Sequence, residues 1–134
     1  MRARISAETV AGPFVKRVEE ISGQNLLACN QCGKCSSGCP VADVLDLLPS
    51  TVMRLAQLGM DEVLRVRTLW TCASCLTCVS RCPKGVDLPR VMEALRIMAM
   101  NAGIQPVDMG ALPPALLADL PQMAVIGGYR KYAC

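Results

Sequence analysis

The sequence predicts an all-α fold, and three features of its 134 residues carry that reading. Apolar residues recur at helical spacing in four stretches, with glycine, proline or an acidic cap where such helices begin and end. No stretch alternates apolar and polar residues as a half-buried strand does. Eight of the nine cysteines fall into two copies of one compact pattern, at residues 29–39 and 72–82, and the helices occupy the segments around them.

In chain order, the first helical stretch is residues 7–22, where Val10, Phe14, Val15, Val18 and Ile21 share a face and Gly23 is the stop. Gly12-Pro13 defers its true start. Between the cysteine patterns, Pro49-Ser50 open a short helix carrying Val52, Leu55, Ala56 and Leu58, which Gly59 ends. Asp61 is placed to cap a second one bearing Val63, Leu64 and Val66. After the second pattern Asp87 caps a longer helix with Pro89 in its tolerated first turn, running to Asn101 and Gly103. Beyond it, Pro106, Pro113, Pro114 and Pro121 confine any helix to a short one, yet the stretch is apolar, which disfavours disorder. Two regions are expected: a helical domain over residues 1–102, and an apolar, proline-containing tail over 103–134 packed on a companion protein.

Composition excludes several function classes. A net charge of +3 with no Lys/Arg cluster gives no footprint for nucleic acid. No run approaches ~18 apolar residues, so no transmembrane segment is expected. The start, "MRARISAETVAGPF", has no apolar core of a signal peptide. A cysteine-rich chain on the cytosolic side is more often a metal protein than a disulfide scaffold, so the expected location is cytoplasmic, with any membrane association made through partners. Histidine is absent, which removes the commonest general base and the commonest metal ligand together. With no glycine-rich phosphate loop and no nucleophile–base pair either, no catalytic residue is assigned.

The cysteines carry the chemistry. "CNQCGKCSSGCP" (29–40) and "CASCLTCVSRCP" (72–83) share the spacing C-x₂-C-x₂-C-x₃-C-P, the run that holds [4Fe–4S] clusters. Three thiolates at two-residue gaps let one tight loop wrap a cube and reach three of its corners. Gly33, Ser36, Ser37 and Gly38 are small enough to bring backbone amides toward sulfur. Zinc prefers well-separated CxxC pairs, usually with histidine. Disulfides want an export signal, and redox-active CxxC thiols need no duplicated quartet. Two [4Fe–4S] clusters are therefore the cofactors expected, on Cys29, Cys32, Cys35, Cys39, Cys72, Cys75, Cys78 and Cys82. Each oxidised cube with four thiolates carries about −2, and Lys34, Arg81 and Lys84 are placed to offset it. Trp70 either shields the second cluster or packs the core; the methionines read as core filling. Cys134 reads as a free terminal thiol rather than a ligand.

"GQNLLACNQCGKCSSGCP", the spacer "RLAQLGMDEVLRVRTLW" and "TCASCLTCVSRCPKGVDL" resemble the iron–sulfur C chain of heterodisulfide reductase, over about residues 14–100. The cysteine patterns alone are shared with other α-helical ferredoxins, such as those in succinate, glycolate and glycerol-3-phosphate dehydrogenase systems. The helical spacer ending in Trp70 favours the first family. The resemblance implies an α-helical ferredoxin-like domain with two [4Fe–4S] clusters. It also implies an electron-transfer role, relaying between a flavin-containing A-type subunit and a cysteine-rich B-type subunit that holds the catalytic site. Further, it implies crossed ligation, as in two-cluster ferredoxins of this spacing: Cys29, Cys32, Cys35 and Cys82 on one cluster, Cys72, Cys75, Cys78 and Cys39 on the other. Two other redox roles remain open, an iron–sulfur component of another dehydrogenase or reductase complex and a free dicluster carrier. A zinc-stapled interaction module is the rival from another class. Chemical analysis of anaerobically purified protein is expected to give about eight iron and about eight sulfide per chain; about four iron would leave one pattern empty.

Overall fold

The computed structural model describes residues 5–10 and 12–132. Cys134 lies outside them. Nine α-helices and four 3₁₀ turns make up the regular structure of the described residues, none of which is in a strand. The helices are α1 (Ala7–Val10), α2 (Pro13–Ser22), α3 (Lys34–Ser37), α4 (Pro49–Gln57), α5 (Thr68–Thr71), α6 (Thr77–Ser80), α7 (Leu88–Asn101), α8 (Pro114–Asp119) and α9 (Gln122–Tyr132).

Helix α7 is the spine. It packs against α2, α4, α5, α6 and the 3₁₀ turn Asp61–Arg65, and its Leu88, Val91, Met92, Ala94, Leu95 and Ala99 are buried among them. Leu26, Met53, Leu69, Met92 and Leu95 are completely enclosed, each stabilising the fold by about 1.5–3 kcal/mol. The local start and stop chemistry explains the bounds. Pro13 and Pro49 stand in the first turns of α2 and α4, where the missing N–H is no loss. Gly23 ends α2 in the left-handed region, at φ +65°. Asp87 caps α7 by accepting from Arg90 N–H at 3.2 Å.

Two expectations are corrected. Asp61 is the first residue of its turn, not the cap: the cap position falls on Met60, which makes no side-chain bond. Five residues suffice only for a 3₁₀ turn there. The last helix, α9, runs for 11 residues, longer than the prolines led one to expect. Pro121 immediately precedes it, where proline is harmless, and no later proline interrupts it. None of the tail side chains described from Gly103 onward is buried, so the core is the work of residues 15–99.

What fixes the segment between the cysteine patterns is a carboxylate. Asp46 accepts from Arg67 N–H and Thr68 N–H, both at 2.7 Å, and from Leu47 N–H at 3.0 Å. The buried Thr68 hydroxyl lies 2.6 Å from both the Asp46 carboxylate and the Leu47 carbonyl, and accepts from Leu47 N–H. Asp46 therefore ties the exit of the first pattern to the start of α5, which leads into the second. Partial burial works to raise its pKa, but the Thr68 hydroxyl and the Arg67, Thr68 and Leu47 amides outweigh that and hold the carboxyl below its ordinary value. Asp46→Ala is expected to lower stability by about 1 kcal/mol, or about 3 °C in the thermal midpoint of cluster bleaching. Because the folded pKa is depressed, the charge-dependent part is present above about pH 4 and lost as pH falls through the folded value. The gap between native protein and variant, followed by thermal melts, should accordingly close in acid.

Candidate metal centre

The two cysteine loops have one backbone shape. Gln31 (φ 59°) and Gly33 (φ 78°) in the first correspond to Ser74 (φ 51°) and Leu76 (φ 64°) in the second. The short helix that follows is α3 in one and α6 in the other, and these two pack against each other. Left-handed residues flanking the second cysteine turn the chain so sharply that successive thiols can face one side. Cys32 and Cys75 sit exposed at the tips, and the other six are half-buried.

The thiols gather around two hollows of similar size. Cys29, Cys32, Cys35 and Cys82 line one of about 320 Å³, with Gln31, Gly33, Lys34, Ser50 and Lys84 also at its wall. Cys39, Cys72, Cys75 and Cys78 line the other, of about 390 Å³, together with Cys35 and apolar side chains such as Val41, Leu88 and Met92. Cys35 borders both, so the hollows are neighbours. Among the described residues no three His, Cys, Asp or Glu side chains converge on one point as a single ion requires. A tetrahedral zinc site would draw its sulfurs within about 4 Å of one another, given ~2.3 Å bonds. Eight thiols spread around two adjacent, largely apolar hollows instead fit two larger, sulfur-ligated groups.

Electrostatics fit the same occupants. Burial pushes the Cys35 thiol up, helped by the nearby Cys29. Burial first, then the charges of Cys72, Cys35 and Cys75, push Cys78 up to about 11. Without a cation these thiols keep their protons at neutral pH, so ligation replaces protons by metal. At the exposed tip the Thr77 hydroxyl, 3.4 Å from Cys75 Sγ, pulls that thiol down. N–H donors to sulfur include Val86 N–H to Cys82 at 3.3 Å and Gln31 Nε2 to Cys29 at 3.8 Å.

Of the small residues, Ser36 acts as expected, its amide and hydroxyl drawing the Cys35 thiol down against the larger effect of burial, whereas the glycines serve otherwise. Gly33 holds a left-handed turn, and the Ser36 hydroxyl accepts from Ser50 N–H at 2.9 Å. Gly38 makes room for the Arg81 side chain, which crosses from the second loop into the space a Cβ would fill. Lys34 and Lys84 border the first hollow. Trp70 packs against the core and lines a surface groove with tail residues Pro106, Val107, Leu112 and Leu116, and is not part of the second hollow's wall.

Local sequence gave no sign of the clamps behind the loops. Buried Gln57 donates to the Leu26 and Cys29 carbonyls at 2.7 and 2.9 Å and accepts from Gln31 at 3.0 Å. On the other side Arg96 donates to the Leu69 carbonyl, to the Cys72 carbonyl at 2.9 Å and to Glu93 at 2.9 Å. Neither shows in local spacing, although aligning the two cysteine copies would have matched Gly33 to Leu76 and Gly38 to Arg81.

An all-α scaffold with eight thiols around two adjacent hollows defines a dicluster iron–sulfur protein of the α-helical ferredoxin type. Residues 25–86 match the family model of the 4Fe–4S dicluster domain, and the cofactors are two [4Fe–4S] clusters. The chain belongs to the family of heterodisulfide reductase iron–sulfur C chains. It is 38% identical over 92 residues to the iron–sulfur C chain of the CoB–CoM heterodisulfide reductase of Methanopyrus kandleri, covering 68% of this chain and 46% of that one. It is 33% identical over 109 residues to the second C chain of the same enzyme from Methanocaldococcus jannaschii, covering 75% and 59%. The C2 chain of the H₂/formate:CoB–CoM heterodisulfide,ferredoxin reductase of Methanococcus maripaludis matches at 34% over 93 residues, covering 69% and 50%. The chain thus spans about half the length of the curated relatives it matches. Among the described residues no helix is long and apolar enough to cross a membrane.

Gln57→Ala leaves the Leu26 and Cys29 carbonyls without their donor and is expected to cost about 2–3 kcal/mol. The readout is faster chelator-driven loss of the visible iron–sulfur absorbance. Gln57→Glu keeps the size but cannot donate, so it should bleach at least as fast; native-like bleaching of that variant would show that packing, not hydrogen bonding, matters.

Proposed function

We propose that the chain is the electron-transfer component of a heterodisulfide reductase-like complex in the cytoplasm, relaying electrons between a flavin-containing partner and a cysteine-rich catalytic partner. The observation that carries the reading is the adjacency of two thiol-lined hollows sharing Cys35 at their border. Two one-electron centres side by side make a relay, whereas a substrate site needs groups that move protons or form bonds. Bound [4Fe–4S] clusters supply one-electron storage at each position. The protein holds them, keeps bulk water from the inner face of the second with Val41, Leu88 and Met92, and sets Lys34 and Lys84 beside the first.

The ligand sets proposed are Cys29, Cys32, Cys35 and Cys82 for the first cluster, and Cys72, Cys75, Cys78 and Cys39 for the second. Their support is that each set lines one hollow. Crossing stitches the two loops together. The tail from residue 103 is proposed as a contact surface for a companion protein of the complex, supported by exposed Leu116, Met123, Ile126 and Tyr129.

Cys39→Ser tests the crossing. It is expected to damage the cluster held by Cys72, Cys75 and Cys78 and leave the other largely intact, read by iron content and by electron paramagnetic resonance of the reduced protein. Loss of the Cys29–Cys32–Cys35 cluster instead would show that each quartet is self-contained. The unmodified chain alone should titrate reversibly but turn over no disulfide, and turnover by the pure chain would refute the relay role.

A further inference from the structure

Helices α4 and α7 fasten the two cysteine loops in the same manner. Gln57 is the ninth residue of α4 and Arg96 the ninth of α7. Each donates to the carbonyl of the first cysteine of a loop and to the carbonyl three residues before it: Leu26 and Cys29 for Gln57, Leu69 and Cys72 for Arg96. The two clamps are equivalent in place and differ by one charge.

We propose that Arg96 is a positioning residue that also tunes redox: its guanidinium, bonded to the Cys72 carbonyl, raises the electron affinity of the cluster Cys72 holds, whereas neutral Gln57 gives the other cluster no such help. Reduction adds one electron and one negative charge to a cluster, with no bond or proton transferred, so a fixed nearby cation favours the reduced form. The second hollow has no charged residue in its wall, while the first has Lys34 and Lys84, both exposed. Solvent and salt screen those lysines strongly. The Arg96 side chain is only 12% exposed, and its counter-charge, Glu93, is 51% exposed, so the buried cation acts on the cluster more than its partner cancels. Arg96 thereby supplies from behind what the apolar wall lacks in front.

The proposal rests on Cys72 being a cluster ligand, and is independent of which cluster Cys39 and Cys82 serve. Iron analysis and two resonance signals in the unmodified protein test that foundation separately. The experiment is a reductive titration followed by electron paramagnetic resonance on Arg96→Gln, which gives the second clamp the side chain the first already uses, and on Arg96→Lys, which keeps the charge. In Arg96→Gln one of the two clusters should lose electron affinity on the order of tenfold, about 59 mV for a one-electron couple, while the other stays put. Arg96→Lys should stay close to native. Two results overturn the proposal: an iron-replete Arg96→Gln with both potentials unchanged, or equal shifts in the Gln and Lys variants, which would assign the effect to the lost hydrogen bonds. If Arg96→Gln retains too little iron to titrate, Glu93→Gln decides, because it keeps the clamp and removes the counter-charge. A rise in the same cluster's potential then supports the proposal, and no change overturns it.

Discussion

A loop that wraps a cube of iron and sulfide spends its residues on reaching corners and keeps few hydrogen bonds for itself. Its backbone must be held from outside, because a buried carbonyl without a donor costs about as much as a hydrogen bond gains. Here that holding is done by single side chains from distant elements: Gln57 and Arg96 on the carbonyls entering each loop, and Asp46 on the amides that open α5. Glu19 does the same for Leu26 N–H at 2.8 Å, and Gln24 for Asp87 N–H at 2.9 Å. Among the described residues no buried side-chain nitrogen or oxygen lacks a partner.

Everything else follows the need to bring such side chains to the loops. Helix α7, the longest, supplies both core and clamp: Val91, Met92 and Leu95 face inward while Arg96 reaches back to Leu69 and Cys72. Helix α4 repeats the arrangement with Val52, Met53 and Gln57. The loops then meet through α3 and α6, with Arg81 of one lying over Gly38 of the other. Proximity has an electrostatic cost, visible in Cys78, which feels Cys72, Cys35 and Cys75 together. Under the proposed ligand sets, ligation by iron would relieve it.

Helix ends were legible in the sequence because proline, glycine and aspartate act within one turn of where they stand: Pro49, Gly23 and Asp87 each do what local chemistry dictates. The thiol pattern was legible because its spacing is itself the geometry of a loop. Asp46, Gln57 and Arg96 were not. The partners that make them clamps lie 21 or more residues away in sequence, and nothing in a lone polar residue on a helix or loop separates a backbone clamp from an ordinary solvated side chain. Asp61 misled for the opposite reason: it is a good cap residue, but too few residues follow before Val66 for a helix to need one.

One asymmetry between the loops reaches into their thermodynamics. Gly33 and Leu76 hold the same left-handed corner, but they arrive there by different routes. Glycine meets no steric objection and gives up unfolded-chain freedom instead, about 0.5–1 kcal/mol more than alanine would. Leucine has less freedom to lose but crowds its own carbonyl, at about 1–2 kcal/mol. The first cost is entropic and grows in proportion to absolute temperature; the second is steric and hardly changes with it. Warming therefore narrows the gap between the two corners, by about 0.1 kcal/mol over roughly 30 °C, and cooling widens it, so two loops of one shape do not answer temperature alike.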